Sequence, residues 1–184
     1  MGAMPNAGVH TDAETRVRSA PGQVLPNMDW ERRGRRQAWQ GGTVAGLIGG
    51  VVLSVYMMAM QIAKGDDIWA VAKMAGVPFL GEAALRPGFE AGPVFVGILS
   101  HFAVSVAWGV LFGVLFYGFT RAATLVLGTV WGAIVWLGMF HVILPLAGAG
   151  EMAASTPVGV AVFEHVLFGL GVAVGFLPFQ QQRR

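Results

Sequence analysis

Apolar residues run without alternation through four stretches of the chain, at approximately 42–63, 93–119, 122–149 and 158–179. Each matches or exceeds the roughly 20 residues needed to cross about 30 Å of hydrocarbon at 1.5 Å per residue. Together they hold a single formal charge, Glu164. Continuous apolarity predicts helices, because the strands of a membrane barrel alternate between lipid and lumen. The expected fold class is therefore all-α: a polytopic membrane protein with four transmembrane helices in one domain, 39–180. Residues 1–38 are polar, interrupted by Pro5, Pro21 and Pro26, and lack an apolar period, so they read as a disordered cytoplasmic basic tail, with 181–184 as a second short tail. The first apolar run is longer than the 7–15 residues of a signal-peptide core and is expected to remain as an anchor. Between the first two spans, Ile68, Trp69, Val71, Ala72, Met74, Ala75 and Val77 precede Pro78. This predicts a short external helix at the membrane interface within 64–92, with Trp69 and Phe79 at headgroup level.

Small residues recur four apart inside the spans. Gly42, Gly46, Gly50 and Ser54 line the first, and Gly97, His101, Ser105, Gly109 and Gly113 the second; Ala161, His165, Gly169 and Ala173 line the fourth. Such GxxxG-type stripes let helix backbones approach closely, which supplies the packing that lipid-facing Leu cannot. The segment Gly42-Thr43-Val44-Ala45-Gly46-Leu47-Ile48 also matches Gly128-Thr129-Val130-Trp131-Gly132-Ala133-Ile134. With His101 paired to His165, the pattern reads as a duplicated helical hairpin, the copies offset by 86 residues in the first helix and 64 in the second. A separate line on the fourth span, Glu164, Gly171 and Gly175, implies protein on two sides of that helix. Homo-oligomerisation, or docking as a subunit of a membrane complex, would provide it.

Composition sharpens the class. Only 12% of residues are charged, against about 25% in soluble domains. The absence of cysteine excludes disulfides, thiolate metal sites and cysteine-ligated clusters. Arg16, Arg18, Arg32, Arg33, Arg35, Arg36, Arg121, Arg183 and Arg184 fall on one side of the spans and Lys64, Lys73 and Arg86 on the other. By the positive-inside rule both termini are cytoplasmic, in a bacterial inner membrane. The Arg-rich run before the first span serves that topology, and no nucleic-acid partner is expected.

Candidate chemistry rests on histidine. Counted from the turn at Thr120 and from the loop near Ala153, His101, His141 and His165 fall in one layer toward the outer leaflet, with Glu164 beside His165 and Met57 and Met58 nearby. Intramembrane ionisable groups mark functional sites by default. Two facing imidazoles suit the axial positions of haem b, with small residues at Gly97, Ser105, Ala161 and Gly169 leaving room for the macrocycle. Alternatively, three imidazoles with Glu164, Met57 and Met58 suit Cu, Zn or Fe. A proton or ion path through Glu164 is a further alternative, although the opposite half of the spans offers few polar residues. Hydrolase, P-loop and His-Glu-x-x-His motifs are missing, so no enzymatic activity is expected. The competing class is a non-catalytic accessory or assembly subunit that docks through its glycine faces.

The glycine-rich first span leading into Met57-Met58, the His101 stripe with Gly109 and Gly113, and His141 ahead of Pro145 resemble small, uncharacterised four-helix inner-membrane proteins of the YagU-like type. The resemblance covers roughly residues 42–179 and implies the four-span topology alone.

Overall fold

A computed structural model of the chain describes residues 26–180. The described residues form eight helices: α1 (Pro26–Lys64), α2 (Ile68–Met74), α3 (Val77–Leu80), α4 (Ala91–Phe116), α5 (Arg121–Gly138), α6 (Leu144–Leu146), α7 (Gly150–Ser155) and α8 (Val158–Phe176). Helical turns of other pitch occupy Gly81–Leu85, Met139–Ile143 and Leu177–Phe179. Four segments are long and apolar enough to cross a membrane, Gly34–Lys64, Ala91–Phe116, Arg121–Leu146 and Val158–Phe179, so the fold class and the four spans stand as expected. The first span begins earlier than the apolar run. Residues 26–38, assigned to the tail, are the opening turns of α1, where Gly34 lies against the Tyr117 ring and Ala38 against Gly113. Tertiary contact at the end of α4 thus carries the helix beyond its apolar part. The remainder of the tail, with Arg16 and Arg18, and the residues 181–184 lie outside the described residues.

α1 packs against both α4 and α8, and α8 also packs against α5, whereas α4 meets α5 and α8 at only a few points. Glycine sets the close approaches. A Cβ on Gly42 would stand 2.6 Å from the Val110 Cα, and one on Gly46 would stand 2.8 Å from the Val106 Cα. In the other hairpin, a Cβ on Gly132 would stand 2.6 Å from the Val166 Cα, and one on Gly128 would stand 2.7 Å from the Gly169 carbonyl oxygen. Backbone contact this tight admits only glycine, and it converts small residues into dispersion packing.

The two crossings are copies of each other. Gly109 packs on the Gly42 carbonyl and on Gly46, just as Gly169 packs on the Gly128 carbonyl and on Gly132. The duplication is therefore present in the packing, but its register differs from the one read by matching histidines. Gly109 and Gly169 are 60 residues apart, which makes Ser105 the counterpart of His165 and Ala161 the counterpart of His101. Backbone crossings, not side-chain identity, fix the alignment of a helical repeat. Offsets of 86 and 60 differ by 26, the length of the segment 65–90, so the first copy carries that segment as an insertion.

Where glycine is absent, aromatic rings separate the helices. Trp108, Phe112 and Phe116, one turn apart on α4, surround Trp131 of α5 at centroid distances of 5.6, 5.9 and 5.7 Å. These rings fill the wide α4–α5 gap with edge-to-face and tilted contacts.

A polar buckle closes the end that carries the α4–α5 turn. The buried Gln180 amide donates to the Phe116 carbonyl at 2.9 Å and to Thr124 Oγ1 at 2.8 Å, while its Oε1 accepts from the Gly118 amide at 2.8 Å. Gly118 supports this turn with φ +90°, a conformation costly for side chains with a Cβ. Thr120 caps α5 by accepting from the Ala123 amide.

A second buckle closes the opposite end, here termed the cap side. Lys73 is 1% exposed, and its ammonium donates to the carbonyls of Arg86 and Gly88. Asp67 caps α2 by accepting from the Trp69 amide at 3.0 Å, and its other oxygen accepts from the Gly88 amide at 2.7 Å. Hydrogen bonds from the backbone of Gly88 and then Trp69 hold the Asp67 carboxyl below its usual value. α2 lies so close over α4 that a Cβ on Gly97 would collide with the Ala72 carbonyl and stand 3.0 Å from the Lys73 Cα. Trp69 is half-buried, edge-on to the exposed Phe89 ring at 4.8 Å between ring centres, and Phe79 is exposed.

Candidate functional site

The three histidines occupy separate surroundings. His101 turns into the α1–α4 seam, where Nε2 lies 3.1 Å from both the Gly50 carbonyl and Ser54 Oγ. A carbonyl can only accept, so Nε2 carries the proton. His165 instead bonds its own helix: Nδ1 donates to the Ala161 carbonyl at 2.8 Å, and the ring stands edge-on to Phe140 at 5.4 Å. His141 is exposed and stands edge-on to Trp136 at 5.3 Å.

Among the described residues, no group of three or more His, Asp and Glu is placed to hold a metal ion. The proposed donors are dispersed. Glu164 is half-buried within electrostatic reach of Lys64, Met57 packs against the hydrophobic core, and Met58 is half-buried on the same helix. Equal depth along antiparallel helices does not bring side chains together, because their rotation about each helix axis is set by the glycine seams. The space expected beside the haem ligands is likewise filled. Gly97 is covered by α2, Ser105 by Gly46 and Gly50, and Gly169 by Gly128 and Gly132; Ala161 is fully buried. Small residues here admit backbone rather than a macrocycle.

The same geometry uses up the glycine faces. Gly42, Gly46, Gly109 and Gly113 serve the α1–α4 seam, with Gly50 beside Ser105; Gly128, Gly132 and Gly169 serve the α5–α8 seam. Gly171 and Gly175 do not await a partner chain: Cβ atoms on them would stand 3.0 Å from the Cα atoms of Gly49 and Ala45. The protein expected on the second side of α8 is α1.

One histidine does border a cavity. A half-open cleft of about 260 Å³ on the cap side is lined by Trp136, Phe140, His141, Gly150, Ala153, Ala154, Thr156 and Val158. Its origin is local. Pro145 has no N–H to donate to the carbonyl of His141 four residues earlier, and the preceding residues Met139–Ile143 take a wider π-turn. That turn widens α5 at its end, and the cover opposite it, α7, is built of small residues around Glu151 and Met152. Small side chains leave the volume open.

Three residues of the lining carry a polar side-chain atom. Thr156 donates to the Met152 carbonyl at 3.0 Å, His141 is exposed, and the Trp136 indole N–H is buried with no hydrogen-bond partner. An unmet buried donor costs about 1–3 kcal/mol. The Trp131 indole is the other such donor among the described residues, but it lies inside the aromatic nest of Trp108, Phe112 and Phe116. Of the cleft, sequence reasoning found His141 alone. The signal for the rest was Pro145 placed four residues after His141, with Trp136 a little over one turn before it.

The chain belongs to the DUF6789 family, a family of unknown function, whose profile matches residues 37–184. This family, rather than the YagU-like type, is what the comparison shows. No curated protein and no solved structure matches the chain.

Proposed function

We propose that this member of the DUF6789 family is a non-catalytic membrane protein that binds a small molecule in the cleft between the π-turn, α7 and the start of α8. The observation that carries this reading is an open, mainly apolar cleft of about 260 Å³ with Thr156 and His141 in its lining, the kind of site in which a few polar groups orient a ligand held by apolar contact. His141 is the one titratable side chain in the lining, which favours binding over acid–base chemistry needing two groups. A resident haem or a Cu, Zn or Fe ion draws no support from the separated histidines. The rest of the surface supports lipid contact, with exposed Val126, Val130, Leu137 and Val174 along the spans.

The orientation proposed is both termini in the cytoplasm and the cleft on the outer face of a bacterial inner membrane. Arg35, Arg36 and Arg121 remain exposed on the terminal side, while the Lys73 ammonium on the cap side is buried against backbone carbonyls. Native mass spectrometry of the full chain, released from mild detergent, tests the function. The expected result is a bound molecule of low mass on the wild type that is lost from Ala154→Phe, which fills the cleft. A wild type free of any adduct overturns the reading.

A further inference from the structure

The segment 65–90 is built inside out for a loop that stands in water. Lys73 turns its ammonium inward to the carbonyls of Arg86 and Gly88, and Asp67 is occupied by two backbone amides. Large apolar side chains face outward instead: Phe79 is 73% exposed, and Leu80, Leu85 and Phe89 are exposed with it. The backbone is helical through α2, α3 and the turn Gly81–Leu85. Its N–H and carbonyl groups therefore pair largely within the segment, as hydrocarbon requires. The other cap-side turn is made differently, with Glu151, Ala154 and Ser155 exposed.

The path of the segment runs into the membrane rather than away from it. α2 starts where Asp67 meets Gly88, three residues before α4, and it ends against Gly97, six residues inside α4. A Cβ on Gly97 would collide with the Ala72 carbonyl, and one on Gly76 would stand 3.5 Å from the Gly97 Cα. That contact lies about 9 Å along α4 from its first residue. Gly81, with φ +59°, then lets the chain turn back after α3. Flanking Gly97 in height, Phe95 and Leu99 are exposed on α4, Phe95 to 67%, so the apolar outer face of this span extends to the same depth. The exposed charges Asp66 and Arg86 sit beside the Asp67–Gly88 hydrogen bond, at the rim.

We infer that 65–90 is a re-entrant segment that dips into the cap-side leaflet beside α4, with Phe79 and Leu80 among the acyl chains at its deepest point and Phe89 nearer the headgroups on the return. This sets Phe79 below the headgroup level expected from the sequence pattern. The partner of the exposed apolar face is the bilayer, which already covers Phe95 and Leu99 at that depth, and the inward-turned Lys73 and Asp67 spare their charges from hydrocarbon.

The test uses the full chain in phosphatidylcholine vesicles. Because the chain has no cysteine, one nitroxide label at a time can be placed through Phe79→Cys, Phe89→Cys, Asp66→Cys or Val130→Cys, all at exposed positions. The readout is the label's accessibility to oxygen, which concentrates in hydrocarbon, relative to a water-soluble nickel chelate, which is excluded from it. The oxygen-to-nickel ratio at Phe79 is expected to exceed that at Asp66 at least about tenfold, with Phe89 in between and Val130, inside a span, marking the upper end. A ratio at Phe79 equal to that at Asp66 places the segment in water and overturns the inference. Equal ratios at Phe79 and Phe89, both above Asp66, mean a segment lying flat at the interface and overturn the dip. A Phe79 label shielded from both reagents means that a second copy of the chain covers the face, and overturns the bilayer as its partner.

Discussion

Both hairpins turn on the cap side through a positive-φ glycine followed by a short helix, yet the two turns are built to opposite standards. In the first, Gly65 leads to α2, which Asp67 caps and Lys73 clamps to the carbonyls of Arg86 and Gly88 over Gly97. In the second, Gly148 leads to α7, which has no side-chain cap and leaves a cleft of about 260 Å³ beneath it. The contrast shows how a duplicated scaffold comes to differ between its halves. One copy carries 26 more residues, which seal its end, and the other has a short turn over a helix loosened by Pro145. Stability lies with the first turn, and adaptable space with the second.

The largest effect is expected from Gly97→Leu, which would drive a side chain into the Ala72 carbonyl and lift α2 from its seat. Overpacking of this kind costs about 1–3 kcal/mol, and more where backbone blocks relaxation. Trypsin should then cut within 65–90, while Gly159→Leu, at an open position of the second hairpin, leaves the digestion pattern unchanged. Lys73→Met comes next. It strands two carbonyls at about 1–3 kcal/mol each at most, and hydrogen exchange should rise in 65–90 without spreading to α5 or α8.

Removing the imidazole of His101, which ties α4 to α1, is expected to lower thermal stability by about 0.6 kcal/mol, the usual size of such a bond in membranes. His165→Ala should cost less, since that ring bonds only its own helix. Acid provides a milder probe. The Asp67 carboxyl is held below its unfolded value near 3.8. Its contribution is therefore complete above about pH 4 and is lost as pH falls through the lower folded value. Pepsin resistance of the first turn should hold down to about pH 4 and decline below it, whereas Asp67→Asn should show no such decline. The smallest effect has the opposite sign. Trp136→Phe removes an unmet donor and is expected to leave the melting temperature unchanged or slightly raised; a clear loss would mean that the indole is paired.

The sequence shows these features unequally, for physical reasons. Span positions follow from one-dimensional apolarity, and they agree within a few residues except where Gly34 and Ala38 find partners on α4. The glycine stripes were legible as seams because a missing side chain has few other uses in a membrane helix. Which seam each stripe serves was not: Gly171 and Gly175 read as an outer face until α1 is placed against them. The histidine layer failed for the same reason. Depth is a property of one helix, whereas convergence depends on helix rotation, set by residues such as Gly46 and Gly132 elsewhere in the chain. The sequence places Lys73 only by its side of the spans, since the carbonyls that receive it come from an irregular loop whose path carries no sequence period.

Gln180 bears on the order of assembly. Its amide ties the α4–α5 turn to the end of the fourth span, joining the middle of the chain to residues synthesised about sixty positions later. During biogenesis the first hairpin can enter the bilayer and close its glycine seam unaided, but the α4–α5 turn that follows it stays untied until translation has passed Gln180. Locking of the bundle is thereby deferred until all four spans are present, which protects against a half-made chain settling into a finished shape.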